Sequence, residues 1–167
     1  IEVSWIDVER KLPVNEKTEI EIELVNRGPK DAENVSIIVS SIKDGITSEI
    51  NKNYIEKVEG NGFFEYSIEW TPSEIGDHII DVAAETENDN NLNNNRKEGY
   101  VDVLPNAPDV SGFYRWGEDN PIINKPYNIT LAIINEGFRS ADNVSVTIFK
   151  TDDNGDILIG QKIIGSL

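Results

Sequence analysis

Residues 19–39 read EIEIELVNRGPKDAENVSIIV, and residues 128–148 read NITLAIINEGFRSADNVSVTI. The two stretches align without a gap at one constant offset, which pairs Asn26 with Asn135 and Gly28 with Gly137. So many matches at one fixed offset indicate an internal duplication. Each repeat is then about 100 residues long, the size of a small all-β sandwich domain.

Apolar and polar residues alternate along these stretches, which is typical of half-buried β-strands. Four alternating stripes, with strand-like segments near 2–8, 48–58 and 97–103, indicate about seven strands in the first repeat. The predicted core residues are Ile22, Leu24, Val35, Ile37, Tyr66, Ile68, Trp70, Ile80 and Val82. We therefore predict an all-β fold of tandem immunoglobulin- or fibronectin-III-like sandwiches, the second one incomplete.

The duplication also predicts the domain boundaries. Residues 1–104 form a complete seven-stranded sandwich, and residues 105–108 form a linker whose two prolines favour a stiff, extended connection. Residues 109–167 supply about four strands, near 109–115, 127–134, 143–150 and 157–164, and form the first half of a second sandwich. The chain contains no Met and Ile1 falls directly into a strand-like pattern, so we expect a piece of a longer protein.

Composition excludes several classes of function. With 15 Lys and Arg against 31 Asp and Glu, the formal net charge is -16, which opposes binding to nucleic acid. No apolar run approaches the roughly 20 residues needed to cross a bilayer. The chain has no Cys, which excludes disulfides, thiolate catalysis and Cys-ligated metals.

Catalytic motifs are absent, so we predict that the chain is not an enzyme. The one histidine, His78, is in phase with Ile80 and Val82 and is expected to point into the core. One His without Cys cannot build a two-His metal site, and no phosphate-binding loop, nucleophile elbow or HExxH motif occurs. We predict no cofactor, with calcium as the alternative.

The calcium candidates are Glu87, Asp89, Asn91 and Glu98, which fall at positions 1, 3, 5 and 12 of an EF-hand-like count. Leu92 occupies the position where such a loop needs Gly, and the flanking segments are strands. A solvated loop is the competing interpretation. Asn-x-Ser/Thr sequons make N-glycosylation possible at Asn34, Asn128 and Asn143, although Asn-Val-Ser also suits the start of a strand.

Two further patterns have structural and binding interpretations. Asn26 is expected to tie a turn in which Gly28 supplies a positive φ. The aromatic cluster Phe113, Tyr114 and Trp116 is either a sugar-stacking platform or core, and the comparable place of Trp5 in the first repeat favours core.

The chain resembles the CARDB family, the cell adhesion related domain found in bacteria, whose modules also occur in archaea. The resemblance rests on Val25–Gly28, Ala32–Val35, Trp70–Pro72, Gly76–Val82 and the Asn-rich segment 85–95. It implies an immunoglobulin-like fold and a non-catalytic structural or adhesion-type module of a cell-surface or secreted protein, acting as a spacer or protein-interaction domain. The alternative is a carbohydrate-binding accessory module attached to an extracellular enzyme.

The expected partners are neighbouring repeats of the same parent protein and a protein or glycan of unknown identity. Three missing strands would leave an apolar face of the second repeat uncovered, formed by Ile129, Leu131, Ile133, Val144, Val146 and Ile148. A continuing chain, the first repeat or a second copy could cover it. We expect continuation, and self-association of residues 1–167 alone.

Overall fold

The structure, a computed structural model, describes residues 1–87, 89–115, 122, 125–126 and 128–167. The chain divides into two compact units, Ile1–Leu104 and Pro105–Leu167. Among the described residues, no helix is long and apolar enough to span a membrane.

The first unit is a sandwich of two β-sheets. Its strands are β1 (Glu2–Asp7), β2 (Lys11–Pro13), β3 (Thr18–Val25), β4 (Ala32–Lys43), β5 (Ile46–Val58), β6 (Phe63–Trp70), β7 (Gly76–Glu85) and β8 (Arg96–Leu104). One sheet has the order β1-β3-β6 and the other β2-β8-β7-β4-β5, and a short 3-10 turn, Leu92–Asn94, precedes β8. The predicted all-β fold class is confirmed.

The core lies between the two sheets and takes every second residue of each long strand. Eight of the nine predicted core residues are buried, and the exception is Tyr66. Its ring is half-buried against the core while its hydroxyl group donates to Asn51 Oδ1 at 2.8 Å. Full burial of an Ile or Leu side chain contributes about 1.5–3 kcal/mol, so the inward stripes of β3 and β4 stabilise the sandwich strongly.

Trp5 is not a core residue, contrary to the prediction, because β1 contains a β-bulge. The register with β3 shifts between Val3 and Trp5, which leaves Ser4 as the extra residue. Before the bulge Val3 points inward, and after it Ile6 is the residue that packs against the core. Trp5 is therefore turned outward and is 45% exposed.

The strand β2 was missing from the predicted set. It has three residues, includes Pro13, and pairs in parallel with β8, where Leu12 lies opposite Val103. Three residues are too few to show an alternation, so the pairing with a strand far along the chain is what defines it. Leu12 is buried and adds to the core.

The second unit contains four strands among its described residues. They are β9 (Val110–Arg115), β10 (Thr130–Asn135), β11 (Asp142–Asp152) and β12 (Gly155–Ser166). They form two antiparallel pairs, β9 with β10 and β11 with β12. The second pair has a register shift between Ile148 and Phe149, the positions equivalent to Val39 and Ser40, where the first unit has its own shift.

Candidate functional site

A polar cleft of about 850 Å³ opens at the end of the first unit where β4 begins. Its walls are the turn 25–34 between β3 and β4, the first two residues of the chain, and residues 86–87, 89–91 and 94 after β7. Five asparagines line it, Asn26, Asn34, Asn90, Asn91 and Asn94, and we name it the Asn cleft.

Asn26 holds the turn that forms one wall of the cleft. It is 5% exposed, and its Nδ2 donates to the carbonyl oxygens of Lys30 at 2.7 Å and Val58 at 3.1 Å. Its Oδ1 accepts the N–H of Gly28 at 3.0 Å. The expectation that Asn26 ties the turn is confirmed. Three backbone groups depend on this one amide side chain.

The same network occurs in the second unit. Asn135 Nδ2 donates to the carbonyl oxygens of Arg139 at 2.7 Å and Leu167 at 3.2 Å, and Oδ1 accepts the N–H of Gly137 at 3.1 Å. The offset that relates Asn26 to Asn135 also relates each of these partners to its counterpart in the first unit. Residues that align in the sequence therefore make corresponding hydrogen bonds in the two units.

The glycines of these turns do not have a positive φ, so that part of the prediction is wrong. Positive φ values among the described glycines occur at Gly45, Gly76 and Gly155. A Cβ on Gly28 would lie 3.2 Å from Asn26 Oδ1, and one on Gly137 would collide with the Ala107 carbonyl. Only glycine lets the backbone approach as closely as it does at Gly137, whereas the Gly28 contact is tight and falls on a side-chain oxygen.

Two carboxylates around the Asn cleft are held by cationic side chains. Arg27 donates to both oxygens of Glu2, and this hydrogen bond lowers the pKa of Glu2. Gly60 N–H donates to Asp31 Oδ1 at 2.9 Å, and Lys57 Nζ lies 3.3 Å from Asp31 Oδ2. The Gly60 hydrogen bond, followed by that of Lys57, lowers the pKa of Asp31.

The structure brings three of the four calcium candidates to the cleft and places the fourth elsewhere. Glu87, Asp89 and Asn91 line the cleft, whereas Glu98 lies on β8 opposite Asp81. Asp89 accepts hydrogen bonds from the Ile1 ammonium group and from Asn91 N–H at 3.0 Å. Burial raises the pKa of Asp89, but these hydrogen bonds outweigh it and the net shift is downward.

No group of three or more His, Asp or Glu side chains is arranged to hold a metal in the part of the chain that the structure describes. Calcium binding by the 85–98 segment stays a hypothesis. A titration of the protein with calcium tests this hypothesis.

The three sequon asparagines are all exposed. Asn34 and Asn143 both adopt left-handed backbone, with φ of 51° and 53°. Asn tolerates this region better than other non-glycine residues, which gives a structural reason for Asn at both equivalent positions. Glycosylation at Asn34, Asn128 and Asn143 stays a prediction.

A second pocket, of about 400 Å³, opens at the other end of β4 and is lined by His78, Ser41 and Trp70 among others. His78 is 6% exposed, so its predicted position in the core is confirmed. Its Nε2 lies 2.9 Å from the backbone oxygen of Glu74, and its Nδ1 lies 2.8 Å from Ser41 Oγ. A carbonyl oxygen can only accept, so Nε2 carries a hydrogen and donates it to Glu74.

This pair has the geometry of a buried structural contact. The His78 ring packs edge-on against Trp70, with 5.5 Å between the ring centroids. Sequence reasoning missed Ser41 as the partner of His78. The available signal was its position, since Ser41 continues the inward phase of Ile37 and Val39.

Phe113 and Tyr114, the two described members of the predicted aromatic cluster, do not share one face. Phe113 and Tyr114 are consecutive on β9, so their side chains point to opposite faces of the strand. Both are exposed, and Trp116 lies outside the described residues. In the first unit the exposed aromatics Trp5, Tyr54, Phe63 and Tyr100 lie on four different strands.

Comparison with solved structures shows a fold similar to that of CARDB domains. The crystal structure of the CARDB domain of the PF1109 protein from Pyrococcus furiosus, in complex with di-metal ions, has a TM-score of 0.52 and 22% identity, covering 59% of this chain and 84% of that one. The solution NMR structure of the same domain also has a TM-score of 0.52 and 22% identity, covering 59% of this chain and 90% of that one. No protein-family model matches the chain, and no curated protein matches it.

Proposed function

We propose that this chain is a non-catalytic structural or adhesion-type module of a larger cell-surface or secreted protein. It acts there as a spacer or a protein-interaction domain, with neighbouring repeats of the same parent protein as its first partners. The observation that carries the proposal is the Asn26 network, which recurs residue for residue at Asn135. Two units built on one plan follow each other along one chain, as in proteins assembled from modules.

Three further observations support this proposal. The CARDB-like fold fits an adhesion-related role, as the family name denotes. The acidic composition keeps such a surface soluble and repels nucleic acid. Ser41 and His78 are each 6% exposed and the His78 ring packs against Trp70, which favours a structural role for this pair.

Surface location is tested with antibodies against residues 1–104 on intact source cells. We expect labelling without permeabilisation and loss of the signal after external protease treatment, with a cytosolic protein as the control. Labelling that needs permeabilisation would contradict the proposed location.

Binding to a glycan array by residues 1–167 would favour the alternative, a carbohydrate-binding accessory module. We expect no binding, since the exposed aromatics Phe113 and Tyr114 lie on opposite faces of β9.

A further inference from the structure

We propose that the second unit is an acceptor for a three-stranded segment of the β6–β8 type. In this proposal β10 and β11 are the edges that receive it. The proposal goes beyond a spacer role, because it assigns a binding surface and specifies the chemistry of what binds there.

The first argument is the pairing of the strand edges. In the first unit β3 is paired on both sides, with β1 and β6, and β4 is paired on both sides, with β5 and β7. Their equivalents in the second unit are β10 and β11. Within the residues that the structure covers, β10 pairs with β9 alone and β11 with β12 alone. Each free edge is a row of backbone groups ready to pair with another strand.

The second argument is the apolar face beside these edges. In the first unit the inward residues of β3 and β4 are three Ile, one Leu and two Val, all fully buried: Ile20, Ile22, Leu24, Val35, Ile37 and Val39. The equivalent residues of the second unit are again three Ile, one Leu and two Val: Ile129, Leu131, Ile133, Val144, Val146 and Ile148. Ile129 and Leu131 are exposed and the other four are half-buried. The aliphatic surface that β6–β8 helps to bury in one unit is thus reproduced, and left open, in the other.

The strand pairing in the first unit also predicts the register in which the incoming strands would pair with β10 and β11. Ile22 lies opposite Tyr66, and Ile37 lies opposite Ala84. By the equivalence of the two units, Leu131 faces an aromatic residue on the incoming β6-type strand, and Val146 faces a small apolar residue on the β7-type strand. The occupant is therefore one strand alternating aromatic and aliphatic residues, followed by strands of the β7 and β8 type.

The test appends a copy of Glu59–Leu104 directly after Leu167 of the full chain, which continues the repeat because Leu167 is the equivalent of Val58. Ala132→Cys is combined with Glu65→Cys in the appended copy, because Glu23, the equivalent of Ala132, pairs with Glu65 in the first unit. The chain has no native Cys, so a cross-link reports this contact alone. We expect the disulfide to form, and amide exchange in β10 and β11 to become about 100-fold slower than in the unmodified chain.

Two control variants use the same extended chain. Moving the second cysteine to Ser67→Cys, whose first-unit partner is Glu21, places it two residues out of register and is expected to abolish the cross-link. Placing Ile80→Asp and Val82→Asp in the appended copy is expected to leave β10 and β11 unprotected, because both positions are buried in the first unit.

A third arm adds the separate 59–104 segment to the unmodified chain, which covers the case in which the extended chain fails to fold. Slower exchange in β10 and β11 in this arm supports the proposal. Unchanged exchange of β10 and β11 in both arms, or equal cross-linking by the Glu65→Cys and Ser67→Cys pairs, would overturn it.

Discussion

At the scale of single residues, Asn26 is a buried polar side chain whose three hydrogen bonds all go to the backbone. Asn26→Ala leaves the carbonyl groups of Lys30 and Val58 and the N–H of Gly28 without this partner. A buried group that loses its partner costs about 1–3 kcal/mol, so we expect a loss of about 2–3 kcal/mol in the free energy of unfolding. Urea unfolding followed by circular dichroism measures it.

Asn90→Ala is the matched control, since Asn90 lines the same cleft but is exposed. Its effect is expected to stay within about 0.5 kcal/mol. Equal effects of the two substitutions would contradict the structural role of Asn26.

The lowered pKa of Asp31 predicts the direction in which the free energy of unfolding changes with pH. Its pKa is lowered in the folded state from an ordinary value of 3.8, first by the Gly60 hydrogen bond and then by Lys57. A lowered folded pKa contributes stability that is present above the unfolded value and is lost as pH falls through the folded value. Asp31→Asn is therefore expected to flatten the decline of stability below about pH 4, and the effect is small because this carboxylate is solvent-screened. Urea unfolding from pH 6 to 2 tests this, and an unchanged slope would refute it.

At the scale of elements, β6 anchors the smaller sheet to the core through Trp70. Trp70 is 9% exposed and contacts the His78 ring, so Trp70→Ala is expected to cost about 3–5 kcal/mol. Trp5→Ala removes the same side chain from the outward side of the β1 bulge and is expected to cost less than about 1 kcal/mol. Chemical unfolding of both variants compares them. A loss below about 1 kcal/mol for Trp70→Ala would show that the assigned register of β6 is wrong.

The segment 85–98 between β7 and β8 is expected not to need calcium. Asp89 Oδ1 already accepts the N–H of Asn91, and Glu98 lies away from the cleft on β8. Calorimetric titration with calcium is expected to show no binding tighter than about millimolar, the range of weak extracellular sites. Micromolar binding that Asp89→Ala abolishes and Glu98→Ala weakens would restore the calcium hypothesis.

At the scale of the whole molecule, the core is distributed unevenly between the units. The buried apolar cluster belongs entirely to the first unit, and among the described residues of the second unit Ala141 is the one buried hydrophobic residue. The open face of the second unit is expected to make residues 1–167 self-associate, because exposed apolar strands with free edges pair readily. Light scattering over a range of protein concentrations measures the mass of the particles in solution and so tests this expectation.

A matched pair of variants locates the contact. Leu131 is 36% exposed on the inward side of β10, and Ile134 is 38% exposed on the other side. Leu131→Glu is expected to shift the chain towards monomer, whereas Ile134→Glu leaves the mass unchanged. A monomer at every concentration for the unmodified chain would refute self-association.

Local sequence patterns were sufficient to predict the all-β class and the long strands. They also predicted that Ile22, Ile37 and Ile80 face the core. A strand places alternate side chains on opposite faces, so a period of two can be found without knowing the partner strand. The alignment of residues 19–39 with residues 128–148 was equally visible, because it is a property of the linear sequence. The inward position of His78 followed from the same phase.

Other features depend on residues far apart in the chain, and only the folded structure decided them. The bulge at Ser4 exists because β1 pairs with β3, and it reverses the phase that placed Trp5 in the core. β2 exists because three residues meet β8, a strand from the far end of the same unit. The Ser41–His78 contact and the Asn cleft arise where separate strands and loops converge. Sequence pattern fixes which face of a strand is apolar, whereas pairing, bulges and clefts are set by which strands meet and in what register.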